Sequence, residues 1–155
     1  MIGKLSTERI NEFIESQAIG RIGCHGKGKT YVVPITYVAE KNNIYCHAVE
    51  GLKLQIMREN PDVCFEVDAI QDLGNWTSVI GWGRFEELTG EERARAIELL
   101  LNRKFPLLPS HTQKLSEYWP YNQDIEEIKG IVFRIRIDES TGRFEDNSSS
   151  PPFVG

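Results

Sequence analysis

Residues 23–30 read GCHGKGKT, which matches the G-x-x-x-x-G-K-T pattern of a phosphate-binding P-loop. In that motif the loop N–H groups and the lysine, here Lys29, bind nucleotide phosphates, and a helix follows the loop. The segment that follows here is TYVVPITYVAE, which is rich in β-branched and aromatic residues and contains Pro34. A proline would cost a helix about 3 kcal/mol at that position. The sequence therefore predicts a β-hairpin with a glycine turn and no nucleotide site.

A second candidate for phosphate chemistry is Lys53, in the segment YCHAVEGLKLQIM. A strand is expected to end near His47 and a helix to begin after Gly51, which puts Lys53 in the first helical turn. Because a helix N-terminus already carries partial positive charge, a lysine there is explained if an anion binds to both. His47 and the hydroxyl pair Thr77-Ser78 are candidates to lie beside that anion. The alternative is a solvated surface lysine.

The three cysteines, Cys24, Cys46 and Cys64, lie in apolar segments with strand-like composition. Their odd number and wide spacing favour buried free thiols over disulfides. Two of them precede a histidine directly, but adjacent strand residues point to opposite faces, so no zinc site is predicted. No Ser-His-Asp or Cys-His arrangement that would support hydrolysis is visible.

The elements that must position these residues are short. The N-terminus predicts an amphipathic helix with Ile10, Phe13 and Ile14 on one face. Strands are expected at about 19–25, 30–40 and 44–48, with the pair Asn42-Asn43 in the turn between the last two. A helix closed by Pro61 follows. DVCFEVDAI and NWTSVIGWGRFEEL are further strands, and in the second Gly81 and Gly83 indicate a bend or a close approach by another group.

The C-terminal third contains one clear helix and one clear strand. TGEERARAIELLLNRKF predicts a helix with a Thr89–Glu92 capping box and an apolar face formed by Ala94, Ile97, Leu101 and Phe105. GIVFRIRIDES predicts a final strand with one solvated face, formed by Val132, Arg134 and Arg136. Residues 106–128, which include His111 and Trp119, carry no readable motif and are a candidate lid or partner contact. Residues 146–155 have the composition of a disordered tail.

Length and charge limit the class of protein. With 155 residues and 40% hydrophobic residues, the chain predicts a single domain, residues 1–145, with a real core. The net charge of −5 argues against nonspecific binding to nucleic acid or anionic membranes. Neither a transmembrane run nor an apolar signal core is present, so we expect a cytoplasmic protein. About six strands with a few helices predict a mainly β (α+β) barrel with helices packed outside it.

The order of these segments resembles the pyridoxamine 5′-phosphate oxidase-related flavoproteins, and within them the branch that includes nitroimidazole-resistance proteins. The most specific pieces are P-I-T-Y at residues 34–37, H-A-x-x-G-x-K at residues 47–53 and S-V-I-G-W-G-R at residues 78–84. The resemblance implies a split β-barrel of antiparallel strands with flanking helices. It also implies a homodimer with FMN bound in the clefts between subunits. The C-terminal segment does not resemble the substrate-binding end of true pyridoxamine phosphate oxidases, so pyridoxal phosphate synthesis is not expected.

The resemblance also implies a set of cofactor-binding residues. The FMN phosphate would lie by Lys53, with Ser78 and either His47 or Thr77 assisting, and the isoalloxazine ring would lie along the backbone of residues 33–37. The full set is Val33, Pro34, Ile35, Thr36, Tyr37, His47, Gly51, Leu52, Lys53, Trp76, Thr77 and Ser78. Trp82 is expected in the core or the dimer interface. Arg84 and Arg21 are candidates for anion binding or for ion pairs.

The function that the resemblance implies is an FMN-dependent oxidoreductase acting on a small molecule, with nitroaromatic compounds or NAD(P)H as candidate substrates. The flavin supplies the redox chemistry in such proteins, so no catalytic residue is assigned, and His47 is the one candidate proton donor. Two alternatives stay open. One is a non-catalytic flavin- or haem-binding module on the same fold, and the other is a dimeric scaffold that has lost its ligand.

Overall fold

Seven strands and three helices make up the part of the chain that the computed structural model describes, residues 1–103 and 129–147. In chain order they are β1 (Ile2–Lys4), α1 (Thr7–Ser16), β2 (Ile19–Gly26), β3 (Lys29–Glu40), β4 (Asn43–Ala48), α2 (Leu52–Glu59), β5 (Asp62–Asp72), β6 (Asn75–Glu87), α3 (Gly90–Leu101) and β7 (Ile131–Asp146).

The strands form one antiparallel sheet that closes on itself. The strand order is β1-β7-β4-β3-β2-β5-β6, and a further pairing of β6 with β7 joins the two sides. Strands β2 to β7 therefore form a six-stranded barrel, and β1 adds to β7 beyond the end of β4. This confirms the predicted barrel of about six antiparallel strands with flanking helices. The short β1 was not predicted, because three residues are too few to show an alternating pattern.

The barrel is open between β3 and β4 over part of its length. Residues 29–36 of β3 pair with β2, whereas pairing with β4 begins only at Tyr37, opposite Cys46. Along residues 29–36 the second edge of β3, called here the free edge, has no strand partner within residues 1–103 and 129–147. This opening makes the fold the split barrel that the resemblance implies.

The barrel interior is filled by aromatic and aliphatic side chains. Tyr37, Phe65 and Phe133 are fully buried, and the rings of Tyr37 and Phe65 meet edge to face with centroids 4.8 Å apart. The Tyr37 hydroxyl donates a hydrogen bond to the carbonyl of Ile14, which ties α1 to the barrel. Helix α1 buries Ile10 and Ile14 as predicted, with Phe13 half-buried against the same core.

The face of β7 predicted to be solvated is partly covered. Val132 is buried with the apolar face of α3, which consists of Ala96, Ile97 and Leu100. The predicted helix face was therefore wrong in part, since Ala94 and Leu101 are only half-buried and Phe105 lies outside the described residues. Arg134 is mostly buried and binds Glu86 at 2.6 Å. Packing of α3 against the outside of β4 and β7 is a long-range contact that local alternation does not reveal.

Two of the hairpin turns test the turn predictions. After the turn residues Lys27 and Gly28, which have φ values of 51° and 73°, the chain continues as β3, so the P-loop is excluded and the hairpin confirmed. In the next hairpin the left-handed residue is Lys41, with φ 56°. Asn43 is already in β4, paired with Glu40, so the predicted Asn42-Asn43 turn is shifted by one residue.

Two further predictions concern element ends. Thr89 is the N-cap of α3, but its side chain makes no capping hydrogen bond, so the predicted capping box was wrong. The chain enters the helix through Gly90, with φ 60°.

Strand β7 continues to Asp146 because its second half pairs with β6 and β1, which extends ordered structure into the first residue of the predicted tail. The rest of that tail lies outside the described residues, apart from Asn147.

The glycines of β6 have the role that the sequence predicted. A Cβ atom on Gly83 would lie 2.0 Å from the carbonyl oxygen of Arg136, where the register between β6 and β7 shifts. Only glycine permits this approach of the two backbones. No helix in the described part of the chain is both long enough and apolar enough to cross a membrane.

Candidate functional site

Lys53 lies in the first turn of α2, as predicted. The helix packs across one end of the barrel, where Leu54, Ile56 and Met57 are fully buried and Ile56 contacts Gly26. Lys53 is half-buried, and its positive charge acts on the thiols of Cys24 in β2 and Cys46 in β4. Lys53 thus lies within electrostatic range of β2 and β4, the two strands on either side of β3.

The free edge of β3 presents backbone hydrogen-bonding groups. Successive strand residues point their N–H and C=O groups to alternate edges. The N–H of Tyr37 donates to the carbonyl of Ala18 at 3.1 Å, on the β2 side. The backbone groups of Val32, Pro34 and Thr36 therefore point to the free edge, where Pro34 has no N–H to leave unsatisfied. Val32 and Thr36 bring N–H donors to this edge, and Val32 and Pro34 bring carbonyl acceptors.

Only some of the predicted residues on β3 can offer a side chain. Ile35 and Tyr37 point into the barrel and are buried, and Val33 lies on the same face. Pro34 is exposed and Thr36 half-exposed on the outer face. Of the predicted set on this strand, a ligand at the opening would thus meet mainly backbone and the side chains of Pro34 and Thr36.

His47 is at the end of β4, and its ring is already bonded. Its Nε2 atom lies 2.6 Å from the carbonyl oxygen of Lys129, which can only accept, so Nε2 carries the hydrogen. A Cβ atom on Gly130 would lie 2.6 Å from the same nitrogen, which shows how tightly the chain passes the ring. The observed contact gives His47 a role in fixing the chain where it enters β7.

Trp76, Thr77 and Ser78 are not brought to Lys53 within one chain. They lie on β6, which is separated from β3 by β5 and β2, about 14 Å across the sheet. Trp76 donates to Glu145 at 2.9 Å, and Ser78 lies 3.5 Å from Glu66. Thr77 points to the opposite face from its two neighbours. The predicted set is thus divided into one group at the opening and another on the far side of β2 and β5.

The surroundings of Ser78 are acidic. Arg21 binds Glu66 at 3.1 Å and Asp68 at 3.3 Å, so the ion-pair interpretation of this arginine is supported. Burial raises the pKa of Glu66, and the neighbouring Asp68 raises it further, while Arg21 opposes the shift. Arg84 lies 4.0 Å from the exposed Asp62, which also supports an ion pair.

An open groove of about 530 Å³ lies on the outer face of the barrel. Val32, Cys64 and Trp82 contribute apolar and thiol surface to it, and Val32 and Trp82 are 60% and 42% exposed. Trp82 is therefore not a core residue, which leaves the interface as its predicted role. His25 also lines this groove, and its Nδ1 atom lies 3.1 Å from the Thr30 hydroxyl oxygen. His111 and Trp119 lie outside the described residues.

The thiols yield a testable prediction. Burial raises the pKa of Cys24 and of Cys46, and the thiolate is the reactive form. We expect at most one thiol of the native protein, that of Cys64, to react with DTNB, and all three free thiols to react in denaturant. A Cys64→Ser variant should show no rapid reaction. Rapid titration of two or more native thiols would contradict the burial of Cys24 and Cys46.

Within the described residues no group of three or more His, Cys, Asp or Glu side chains is arranged to hold a metal ion. The sequence patterns did not predict the contacts of Arg58 with Glu50 and Glu87. Glu50 and Arg58 lie at the two ends of α2 and form no recognisable motif, and only the fold brings Glu87 of β6 to them.

Comparisons with known proteins agree with this architecture. An uncharacterized Rhizobium meliloti protein is 29% identical over 151 residues, which cover 90% of this chain and 92% of the relative. The structure of a FAD-binding protein from Mesorhizobium loti superimposes with a TM-score of 0.70 and 27% identity, covering 94% of this chain and 99% of that protein. A proposed 5-nitroimidazole antibiotic resistance protein from Bacteroides thetaiotaomicron gives a TM-score of 0.68 at 20% identity, covering 93% and 87%.

A family model also matches most of the chain. The family model for pyridoxamine 5′-phosphate oxidase matches residues 6–144, from the start of α1 to nearly the end of β7. The matched range includes both the free edge of β3 and the first turn of α2. This chain belongs to the pyridoxamine 5′-phosphate oxidase family.

Proposed function

We propose that this protein binds FMN at the opening between β3 and β4 and acts as a flavin-dependent oxidoreductase on a small molecule. Membership of the pyridoxamine 5′-phosphate oxidase family supports the proposal. It is also supported by the similarity to the Mesorhizobium loti protein, which is described as FAD-binding. We propose FMN as the flavin because the site offers one lysine at a short helix N-terminus, which suits a single terminal phosphate.

The observation that carries the proposal is the combination of Lys53, near the two strands that flank β3, with the free edge of β3 itself. A flavin mononucleotide needs a cationic site for its phosphate and fixed donors and acceptors for the polar edge of its ring. Lys53 and the N–H groups at the start of α2 meet the first need. The free edge, with N–H groups at Val32 and Thr36 and a carbonyl at Pro34, meets the second. The residues present therefore fit the cofactor.

The protein's part in the reaction would be binding and orientation. When bound, the flavin supplies the oxidation–reduction chemistry. Lys53 would neutralise the phosphate, and the backbone of β3, held by its pairing with β2, would fix the ring edge. The buried side chains of Ile35 and Tyr37 keep that strand rigid from the inside. No side chain is required to act as a nucleophile, and we assign no catalytic residue.

A homodimer is part of the proposal. In one chain the two groups of predicted site residues lie on opposite sides of β2 and β5, so a second copy would be needed to bring Trp76 and Ser78 to the opening. The outer face also exposes Ile19, Val32 and Trp82, which would suit burial against another barrel. Light scattering on the purified protein should give twice the 17.7 kDa chain mass. A monomer that binds FMN would remove the dimer from the proposal.

The proposal is tested by the visible absorption spectrum of the protein after separate incubation with FMN or FAD and desalting. A retained flavin band that is bleached by NADH or NADPH, and restored by a nitroaromatic compound, would support the oxidoreductase. Retained flavin that no such donor reduces would favour the alternative, a non-catalytic flavin-binding module. A protein that retains neither FMN nor FAD would contradict flavin binding itself.

A further inference from the structure

The Arg58 guanidinium binds a residue in the turn just before α2, the helix whose first turn contains Lys53. Arg58, in the last turn of α2, donates two hydrogen bonds to Glu50, at 2.9 and 2.6 Å, in a bidentate pair. It donates two more to Glu87 at the end of β6, both at 3.1 Å. One side chain thus joins the residue before the N-cap, the last turn of the helix and strand β6 of the barrel.

The turn before α2 has few other restraints. Gly51 is the N-cap, its backbone is extended with φ 179°, and it has no side chain to cap the helix. Val49 and Glu50 are both exposed. Besides the bonds from Arg58, the described contacts of this turn include the helical bond from the Gln55 N–H to the Gly51 carbonyl, at 3.2 Å. The bonds from Arg58 therefore hold the chain two residues before the first helical residue, whereas the helix itself is anchored by Leu54, Ile56 and Met57.

We propose that Arg58 is a positioning residue for the phosphate site, which holds Glu50 so that the first turn of α2 directs Lys53 and its N–H groups to the phosphate. This inference rests on the proposed function. The planar guanidinium matches two carboxylates at fixed angles, which a lysine ammonium does not. Arg58 does not itself bind the flavin in this proposal, because four of its five N–H donors are used by Glu50 and Glu87.

Two explanations for the role of Glu50 predict opposite effects of a Glu50→Gln change on FMN binding. If the carboxylates acted on the phosphate only through their charge, Glu50→Gln would remove a repulsive charge and tighten FMN binding. If Glu50 serves to hold the turn, the same change weakens FMN binding. The sign of the effect therefore separates the two explanations without altering any residue that would touch the ligand.

The experiment measures dissociation constants for FMN and for riboflavin, which lacks the phosphate, by quenching of flavin fluorescence. The proteins are the wild type, Glu50→Gln, Arg58→Gln and Arg58→Lys, with thermal unfolding followed for each. The matched control is Arg95→Gln, which breaks an exposed 2.6 Å ion pair with Glu40 elsewhere on the surface. We expect each variant at positions 50 and 58 to bind FMN about fivefold more weakly. Riboflavin binding and the Arg95→Gln control should change less than about twofold.

The outcomes separate this inference from the function on which it rests. If the wild-type protein binds neither ligand, the proposed function fails. If the wild type binds FMN but Glu50→Gln binds it equally well or more tightly, the positioning role of Arg58 is wrong and the proposed function stands. Equal losses of FMN and riboflavin affinity would also overturn the inference, since a general disturbance of the fold would affect both ligands.

Discussion

A Lys53→Ala variant is expected to bind FMN about fiftyfold more weakly than the wild type, because it loses charge-assisted hydrogen bonds worth about 2–3 kcal/mol. Only the contribution of the phosphate group to flavin affinity should be lost. Riboflavin affinity is expected to stay within about twofold, so that the preference of the protein for FMN over riboflavin nearly disappears. Lys53 is half-buried on the surface of a helix, and its replacement by a good helix former should leave the fold intact.

The measurement is a fluorescence titration of both flavins, with Lys4→Ala as the control. Lys4 is an exposed lysine on β1, and its removal changes the net charge by the same amount. If Lys4→Ala weakened FMN binding as much as Lys53→Ala, the effect would come from overall charge. If Lys53→Ala kept wild-type affinity, the phosphate site would have to lie elsewhere.

The largest effect on stability is expected from Phe65→Ala. Phe65 is fully buried in the middle of β5, its ring meets that of Tyr37, and it fills the space above Gly20, where a Cβ atom would lie 2.4 Å from the ring. Removal of the ring leaves a cavity that Gly20 has no side chain to fill. Substitutions of this kind cost about 3–5 kcal/mol, which for a chain of this length corresponds to a fall in Tm of about 10 °C.

Urea unfolding followed by circular dichroism gives the free energy of unfolding, and Leu73→Ala is the control. Leu73 is 96% exposed at the turn between β5 and β6, so its truncation should change stability by less than about 0.5 kcal/mol. A loss below about 1 kcal/mol for Phe65→Ala would mean that the barrel interior is not packed around this ring.

Local sequence patterns correctly predicted the features that depend on residues close together in the chain. The proline and β-branched residues after Thr30 excluded a helix, and β3 follows there. A glycine and the helical spacing of the apolar residues after it correctly predicted where α2 begins. They also placed Lys53 in its first turn. The glycines of β6 indicated a close backbone contact, which Gly83 makes with Arg136.

Features that depend on contacts between distant segments could not be read from the sequence. The second half of β7 is ordered by its pairing with β6 and β1, and α3 covers Val132 because of where the helix packs. The free edge of β3 is the most important case. Nothing in the residues from Lys29 to Thr36 shows that β4 diverges from them, because that depends on how β4 runs on into α2.

Binding of the flavin ring along the free edge of β3 is the central claim, and amide hydrogen exchange tests it most directly. NMR on the wild-type protein would give the exchange rates of individual amide hydrogens. The Val32 and Thr36 amides should exchange fast without ligand and at least about tenfold more slowly with saturating FMN. The amides of Val33 and Ile35, which face β2, should change little. If FMN binds but leaves Val32 and Thr36 unprotected, the flavin does not lie on this edge, and the account of the site is wrong.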